Sequence, residues 1–432
     1  MLTWLSSVPI ESVRTLTVIY CVAAALILVL LQPFGVRARR PLAWYGVLLA
    51  AAVLGAGIGW GLVWLLGGVE DLFGVQLSTV VHIGGAALFA GLAVALTNLV
   101  RTRWWRKVVA VIALPAVILA AGVMTNEDFA YYPTLGDVVG DTGVGALVAN
   151  SIRGGGRPLA DWRAPAGMPS EGTVGTVDIP ATVSHFHARQ AWVYLPPAAL
   201  VKHPPRLPVV IGLSGQPGGP SDLFLAGHLD DALNAMARAH QGVAPILVVP
   251  DQLGSPSSNP MCVDSRLGDV ATSLTVDVRH WVLTHEPVSA NRLDWTIAGF
   301  SEGGTCSIQL GSEYPAEFGS IVDVSGELAP RNGTPAQTID LGFGGSAKRY
   351  RDESPLHVLA THRYPSTRAE FAVGGNDQRY RPITVRMARA AAAAGMRIGM
   401  WIVPGTGHDW HTASRGLAWG LDRLEARWAL PR

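Results

Sequence analysis

Charge is scarce in this 432-residue chain: Asp, Glu, Lys and Arg make up 15% of it, against roughly 25% in an ordinary soluble domain. Neither sign dominates. With 33 basic and 32 acidic residues the formal net charge is +1, which removes the broad electrostatic basis for binding nucleic acid. Cysteine is nearly absent, with three residues. No Cys/His cluster has zinc-ligand spacing, since His185 and His187 precede a strand without a third partner, so no metal and no cofactor is expected. Internal repeats are lacking, as are low-complexity tracts beyond the alanines at 390–394. Apolar residues, in contrast, reach 49%, which excludes a disordered chain.

The apolar residues are unevenly spread. Residues 15–31 carry no charge, and at ~1.5 Å per residue they cover most of a ~30 Å hydrocarbon core. Similar stretches run over 42–66, 77–100 and 108–124, so residues 1–124 read as a membrane domain of about four transmembrane helices. A single such stretch fits a buried core helix, but four in succession separated by short charged loops do not. The first connection carries Arg37, Arg39 and Arg40, and the third carries Arg101, Arg103, Arg106 and Lys107 beside Trp104 and Trp105. The second has Glu70 and Asp71 instead. Because short basic loops stay cytoplasmic, both ends of this bundle are expected to face outward, with everything after Met124 outside the cytoplasm. His82 is the clear ionisable residue away from the span ends, which gives a transport function little to work with.

Residues 125–173 are rich in Gly, Pro, Asp and Ala, including Gly154, Gly155 and Gly156, and read as a loop-rich tether. Residues 174–432 form the soluble domain. Strand-like runs at 174–179, 191–195, 208–213, 244–250, 295–298, 320–324, 369–373 and 398–403 alternate with helical stretches at 229–240, 271–283 and 382–394. Short buried apolar runs separated by helices predict an α/β domain with a mostly parallel sheet of about eight strands flanked by helices.

The strongest local signal follows the strand at 295–298: Gly299, Phe300, Ser301, Glu302, Gly303, leading into a helix of small residues. A sharp strand-to-helix turn leaves no room for side chains beside its serine, and the helix N-terminus favours developing negative charge. Ser301 is the expected nucleophile. Its base follows in chain order; His408, in a Gly-rich loop directly after the last strand, fits best, with His411 and His362 as fallbacks. Asp377 closes the penultimate strand and is the expected acid, ahead of Asp340 and Asp323; Asp409, adjacent to His408, is poorly placed to face its ring. Oxyanion donors are expected from the backbone N–H of Glu302 and, in the loop after the third strand, of Gln216. Trp410, two residues after His408, is the expected substrate contact.

The segments Leu213-Ser214-Gly215-Gln216-Pro217-Gly218-Gly219, Leu247 to Asp251, the elbow at 299–303, Tyr314-Pro315-Ala316-Glu317-Phe318 and the loop at 404–410 together resemble the Putative esterase family. That family includes the esterase D type thioesterases and the mycobacterial mycolyltransferases. The resemblance covers residues 174–427 and implies an α/β-hydrolase fold with a lid-poor, exposed cleft and a Ser, acid, His mechanism on acyl esters. Position 302 is Glu where the mycolyltransferases have Met, which speaks against long-chain acyl transfer. Glu302 reads either as a solvated acidic residue at a helix start or as a site for a cationic substrate group, such as the ammonium of an aminoacyl ester.

Cys21 falls in the first span, leaving Cys262 and Cys306 as a disulfide pair in an oxidising compartment. The sequence thus predicts a membrane-anchored extracytoplasmic serine esterase acting through an acyl-enzyme on an ester of a lipid or cell-envelope component. Its partners are then the bilayer and that ester. Acyl transfer and aminoacyl-phospholipid hydrolysis are alternatives within the same chemistry; a non-catalytic envelope scaffold is the alternative of another class.

Overall fold

The computed structural model describes residues 7–36, 41–147 and 156–431. Arg37, Arg39, Arg40, Gly154 and Gly155 lie outside them. The chain divides into two compact units, Met1–Thr142 and Gly143–Arg432, and the division falls within the stretch read as a tether.

The first unit is built from α1 (Val13–Leu31), α2 (Pro41–Trp64, continued by a π turn at Leu65–Val69), α3 (Thr79–Thr97) and α4 (Trp104–Phe129). Each helix is long and apolar enough to cross a membrane. Leu49, Val53, Leu54, Ile112 and Leu119 point outward and are exposed, the pattern of helices whose outer face meets no water. Between α2 and α3 glycine permits backbone contact: a Cβ on Gly59 would lie 2.1 Å from the Gly85 carbonyl oxygen, and one on Gly55 would lie 2.4 Å from that of Phe89. Small residues allow this close approach of two helix backbones.

Arg106 departs from its expected place among the loop charges, because its side chain is fully buried. Its Nη1 donates to the carbonyls of Gln32 (2.6 Å) and Phe34 (2.8 Å), its Nη2 to that of Leu30 (2.5 Å), and Nε to Asn98 Oδ1 (3.1 Å). The last carbonyls of a helix have no partner within it. The guanidinium supplies donors at the end of α1, which explains a buried cation in so apolar a unit.

The second unit holds an eight-stranded sheet: β1 (Thr173–Val177), β2 (Ala191–Leu195), β3 (Val209–Leu213), β4 (Ile246–Val249), β5 (Trp295–Phe300), β6 (Ser320–Val324), β7 (Arg368–Gly374) and β8 (Arg397–Val403). Their order is β1-β2-β4-β3-β5-β6-β7-β8. Only the pairings of β2 with β1 and β4 are antiparallel; the rest are parallel. Every residue of β2 to β6 is buried, because helices cover both faces, so these strands read as continuous apolar runs rather than alternating ones. This is the α/β-hydrolase architecture. The helices that matter most for the site are α5 (Glu302–Glu313) after β5, α6 (Tyr380–Ala393) between β7 and β8, and α7 (Trp410–Asp422) after β8.

Two features depart from the sequence reading. The helix expected over 271–283 is interrupted by a π turn at Ser273–Asp277, where the Asp277 carboxylate accepts hydrogen bonds from the Val183 and Ser184 amides and the Thr182 hydroxyl. Between β6 and β7 the chain forms three short helices, Pro335–Phe343, Ala347–Glu353 and Pro355–Thr361, which the strand-to-strand reading passed over. The first begins with a capping box, Thr334 and Gln337 satisfying each other's amides, and buries Phe343 against Met261 and Val263.

Candidate active site

The site begins with backbone strain. Ser301 sits between β5 and α5 at φ 58° and ψ −113°, a conformation costly for a residue with a Cβ and held here by its surroundings. Its N–H donates to the Val324 carbonyl (2.8 Å) and its carbonyl accepts from Thr305 N–H (3.0 Å). The flanking glycines are obligatory. A Cβ on Gly299 would lie 2.2 Å from the Gly303 carbonyl oxygen, and one on Gly303 would lie 2.2 Å from that of Leu213. The turn thus presses the serine against the end of β3.

His408 reaches Ser301 from the loop after β8. Its Nε2 lies 2.8 Å from Ser301 Oγ and its Nδ1 lies 3.1 Å from Asp377 Oδ2. Asp377 in turn accepts from the Tyr380 N–H through Oδ1 (2.9 Å). The loops carrying acid and base are themselves tied together, since Gly375 and Asn376 amides donate to the carbonyls of Val403 and Thr406. The imidazole lies between two rings, Tyr380 at 4.1 Å and Phe300 at 4.9 Å between centroids, and the Asp377 and His408 side chains are both buried. Asp409 instead accepts from the Gly407 and Thr412 amides and caps α7. The other candidates stay away from His408: His411, His362 and Asp340 are exposed, and Asp340 pairs with Arg266. Asp323 is buried behind the elbow, where Oδ1 accepts from the Gly326 amide and Oδ2 has no partner. Burial pushes its carboxyl up to about 7.

The loop 213–219 lies alongside: a Cβ on Gly215 would sit 3.5 Å from Ser301 Cβ. The Gln216 and Glu302 amides donate to no backbone group among the described residues. The loop is buttressed by Arg189, whose Nε and Nη2 grip both oxygens of Asp251 and whose Nη2 also donates to the Gly218 carbonyl (3.0 Å). Burial raises the Asp251 carboxyl, but the Arg189 hydrogen bonds outweigh it and leave the group below its ordinary value. Gln252 then bridges the two halves, its Nε2 donating to the Ser214 carbonyl (2.8 Å) and to Glu302 Oε2 (3.0 Å).

Three expectations are corrected by these positions. Glu302 is not a solvated helix-start carboxylate: its carboxyl is turned inward against Gln252 and the Cys262–Cys306 disulfide, and burial pushes it up to about 7. Facing Gln252 and the disulfide, the carboxyl is engaged inside the fold rather than offered to a cationic substrate group. Trp410 is buried and packs on Phe300, 5.4 Å between ring centroids, so it supports the aromatic shell from behind rather than facing substrate. Tyr380 and Gln252 were missed. Tyr380 stands three residues after Asp377, the spacing at which a carboxylate accepts an amide at a helix start, and that signal was readable; nothing local marks Gln252.

A mixed cleft of about 350 Å³ opens beside this shell, lined by Glu327, Leu328, Ala329, Arg331, Tyr350 and Ile383 among others. Glu327 hydrogen-bonds the Tyr380 side chain, and burial raises its carboxyl despite the opposing charges of Arg331, Arg379 and His408. The Cys262, Glu302 and Cys306 side chains lie together at ligand distance, but the cysteines are joined to each other and offer no thiolate.

The family described as Putative esterase matches residues 186–409. An uncharacterised protein of Corynebacterium glutamicum is 32% identical over 352 residues, 79% of this chain and 82% of its own length. Among solved structures, a ferulic acid esterase is 17% identical with a TM-score of 0.49, over 60% of this chain and 99% of its own. The S-formylglutathione hydrolase of Agrobacterium tumefaciens is likewise 17% identical, TM-score 0.49, over 61% and 97%. MPT51 (FbpC1) of Mycobacterium tuberculosis is 15% identical, TM-score 0.45, over 59% and 99%.

Proposed function

From the premise that this chain belongs to the Putative esterase family, we propose that it is a membrane-anchored serine esterase acting outside the cytoplasm on an ester of a lipid or envelope component. One observation carries the chemistry: the continuous hydrogen-bonded chain Ser301 Oγ, His408, Asp377 at the carboxyl ends of β5, β8 and β7. His408 Nε2 takes the hydroxyl proton as Ser301 Oγ attacks the ester carbonyl; Asp377 holds Nδ1 protonated and stabilises the imidazolium. The charge that develops on the carbonyl oxygen meets the amides of Glu302 and Gln216. Collapse of the tetrahedral species releases the alcohol, with the His408 proton, and leaves an acyl-Ser301. Water, or an acceptor alcohol in the transferase variant, enters by the same route in reverse.

Location rests on other grounds. Four apolar helices support membrane anchoring, the basic first and third connections support an outward second unit, and the disulfide supports an oxidising compartment. A lipid or envelope ester follows from that location.

The test is labelling of the full-length protein in detergent with a fluorophosphonate probe, beside Ser301→Ala and His408→Ala. Labelling of wild type that is lost in both variants is the expected result, after which envelope-lipid esters, aminoacyl phospholipids included, are screened. A folded wild type that resists the probe would return the protein to a scaffold role.

A further inference from the structure

We infer that Arg292, Arg368, Arg397 and Arg427 form an anion site around Ser366, one that holds a phosphate or phosphate-ester group at the end of the sheet opposite the catalytic residues. The inference does not depend on the esterase reading, because nothing in it passes through Ser301.

The cluster follows from where the parallel strands begin. Arg368 and Arg397 open β7 and β8 and are register partners, so their side chains leave the same face of the sheet on strands ~4.8 Å apart. Like charges so placed repel. Arg292 stands just before β5 and Arg427 in the segment after α7, and both reach the loop that leads into β7. Arg292 Nη2 donates to Ser366 Oγ (2.5 Å) and Arg427 Nη2 to the Ser366 carbonyl (2.7 Å), while Arg427 Nε holds the Leu293 carbonyl (3.2 Å). The length of β7, at ~3.3 Å per residue, puts ~20 Å between this cluster and the strand end that precedes Asp377.

The charges gathered here do not balance. Two carboxylates stand among them: Glu370, bonded to Arg368 (2.6 Å) and to Arg423 (2.7 Å), and Asp294, which accepts from Ser289 Oγ (2.6 Å). With Arg423 included, five guanidinium groups meet two carboxylates, an excess of three positive charges. Arg292, Arg397 and Arg427 make no ion pair among the described residues, and Arg292 Nη1 has no hydrogen-bond partner. Burial pulls the Arg427 pKa down, and the charges of Arg292, Arg368 and Arg397 pull it further against the opposing Asp294.

The excess selects the ligand. A guanidinium fork binds two oxygens at once, so a carboxylate is used up by one arginine and leaves the others as they were. A phosphate group turns oxygens in several directions and can meet several forks together. The Ser366 hydroxyl, which accepts from Arg292, keeps its own proton to donate to such an oxygen. Arg397 and Ser366 are exposed, which leaves the site open to free phosphate and to the phosphate of a lipid headgroup. A group held there neutralises the cluster without entering the catalytic site.

The experiment titrates the full-length protein, in an uncharged detergent, with inorganic phosphate and separately with glycerophosphoglycerol, a phosphodiester headgroup without acyl chains. Calorimetry reads binding against sodium chloride of equal ionic strength. Beside wild type stand Arg397→Gln, which removes no hydrogen bond or ion pair, and the double variant Arg292→Gln/Arg397→Gln. Saturable binding to wild type is expected, weakened roughly tenfold in the double variant, the scale of one charge-assisted hydrogen bond, and less in Arg397→Gln. Thermal unfolding supplies a second readout: phosphate raises the wild-type midpoint, whereas Arg397→Gln unfolds no lower than wild type in chloride, having lost the repulsion from Arg368, and gains less from phosphate. Arg397→Gln thus keeps the test readable if the double variant does not fold. Variant-sensitive binding of both ligands upholds a site that a lipid headgroup can fill; of inorganic phosphate alone, a site for free phosphate; of the diester alone, a site for headgroups. Binding retained at full strength in the variants, or a phosphate response no larger than that to chloride, overturns the site. A midpoint of Arg397→Gln below wild type in chloride overturns it too, by giving Arg397 a structural role.

Discussion

Around His408 the aromatic rings and the hydrogen bonds divide the work. The bonds to Ser301 and Asp377 fix where the ring nitrogens point, while Phe300 and Tyr380 fix the plane of the ring and keep water from it. Packing should therefore matter more than the Tyr380 hydroxyl. Tyr380→Phe is expected to keep kcat within about threefold, and Tyr380→Ala to lower it about tenfold or more, in keeping with the cost of slight misplacement; steady-state kinetics on one ester separates the two. Asp323 makes a different prediction. Burial raises its folded pKa to about 7 from an unfolded value near ~3.9. Between those values the native state holds a proton that the unfolded chain has lost, so stability falls as pH rises through this window and levels off above it. Thermal unfolding midpoints at pH 5 and pH 8 should differ more in wild type than in Asp323→Asn.

The elbow shows how far a single element depends on residues outside it. Gly299 and Gly303 were expected to be glycine because the turn is tight, but the atoms they must avoid belong partly to β3, through the Leu213 carbonyl. Gly303→Ala retains Ser301 and the whole hydrogen-bond chain on paper. It is expected to cost about 1–3 kcal/mol through overpacking and to abolish fluorophosphonate labelling, because the shift it forces moves Ser301 away from His408. Denaturant unfolding and labelling of the same preparation check both. The helix α7 after β8 was passed over, whereas the strands and the helices α5 and α6 were legible, the strands because burial on both faces writes continuous apolar runs into the sequence. The three helices between β6 and β7 were not, since they are short, polar and stabilised mainly by contacts such as Phe343 on Met261.

At the scale of the whole molecule, an apolar unit with four long helices precedes an α/β-hydrolase unit stapled by one disulfide. The outward placement of the second unit is testable without activity. In a Cys21→Ala background, a cysteine introduced at the exposed His203 should react with a membrane-impermeant maleimide in intact cells. One introduced at the exposed Arg101, in the third connection, should react only after permeabilisation. Reaction of both, or the reverse order, would contradict the orientation drawn from the basic loops.

The sequence by itself determined the elements whose cause is local: the apolar spans, the strand runs, the glycine-flanked Ser301 and, through chain order, His408 and Asp377. Residues whose role depends on a partner far along the chain were decided only by the tertiary structure. Arg106 reads as a loop charge until it is seen on the carbonyls that end α1, more than 70 residues earlier. Trp410 reads as a substrate contact until Phe300 covers it. Glu302 reads as a surface carboxylate until Gln252 and the disulfide close over it. A side chain's type is fixed by the sequence, but its dielectric surroundings and hydrogen-bond partners are set by what folding brings against it, and those determine whether it carries a charge.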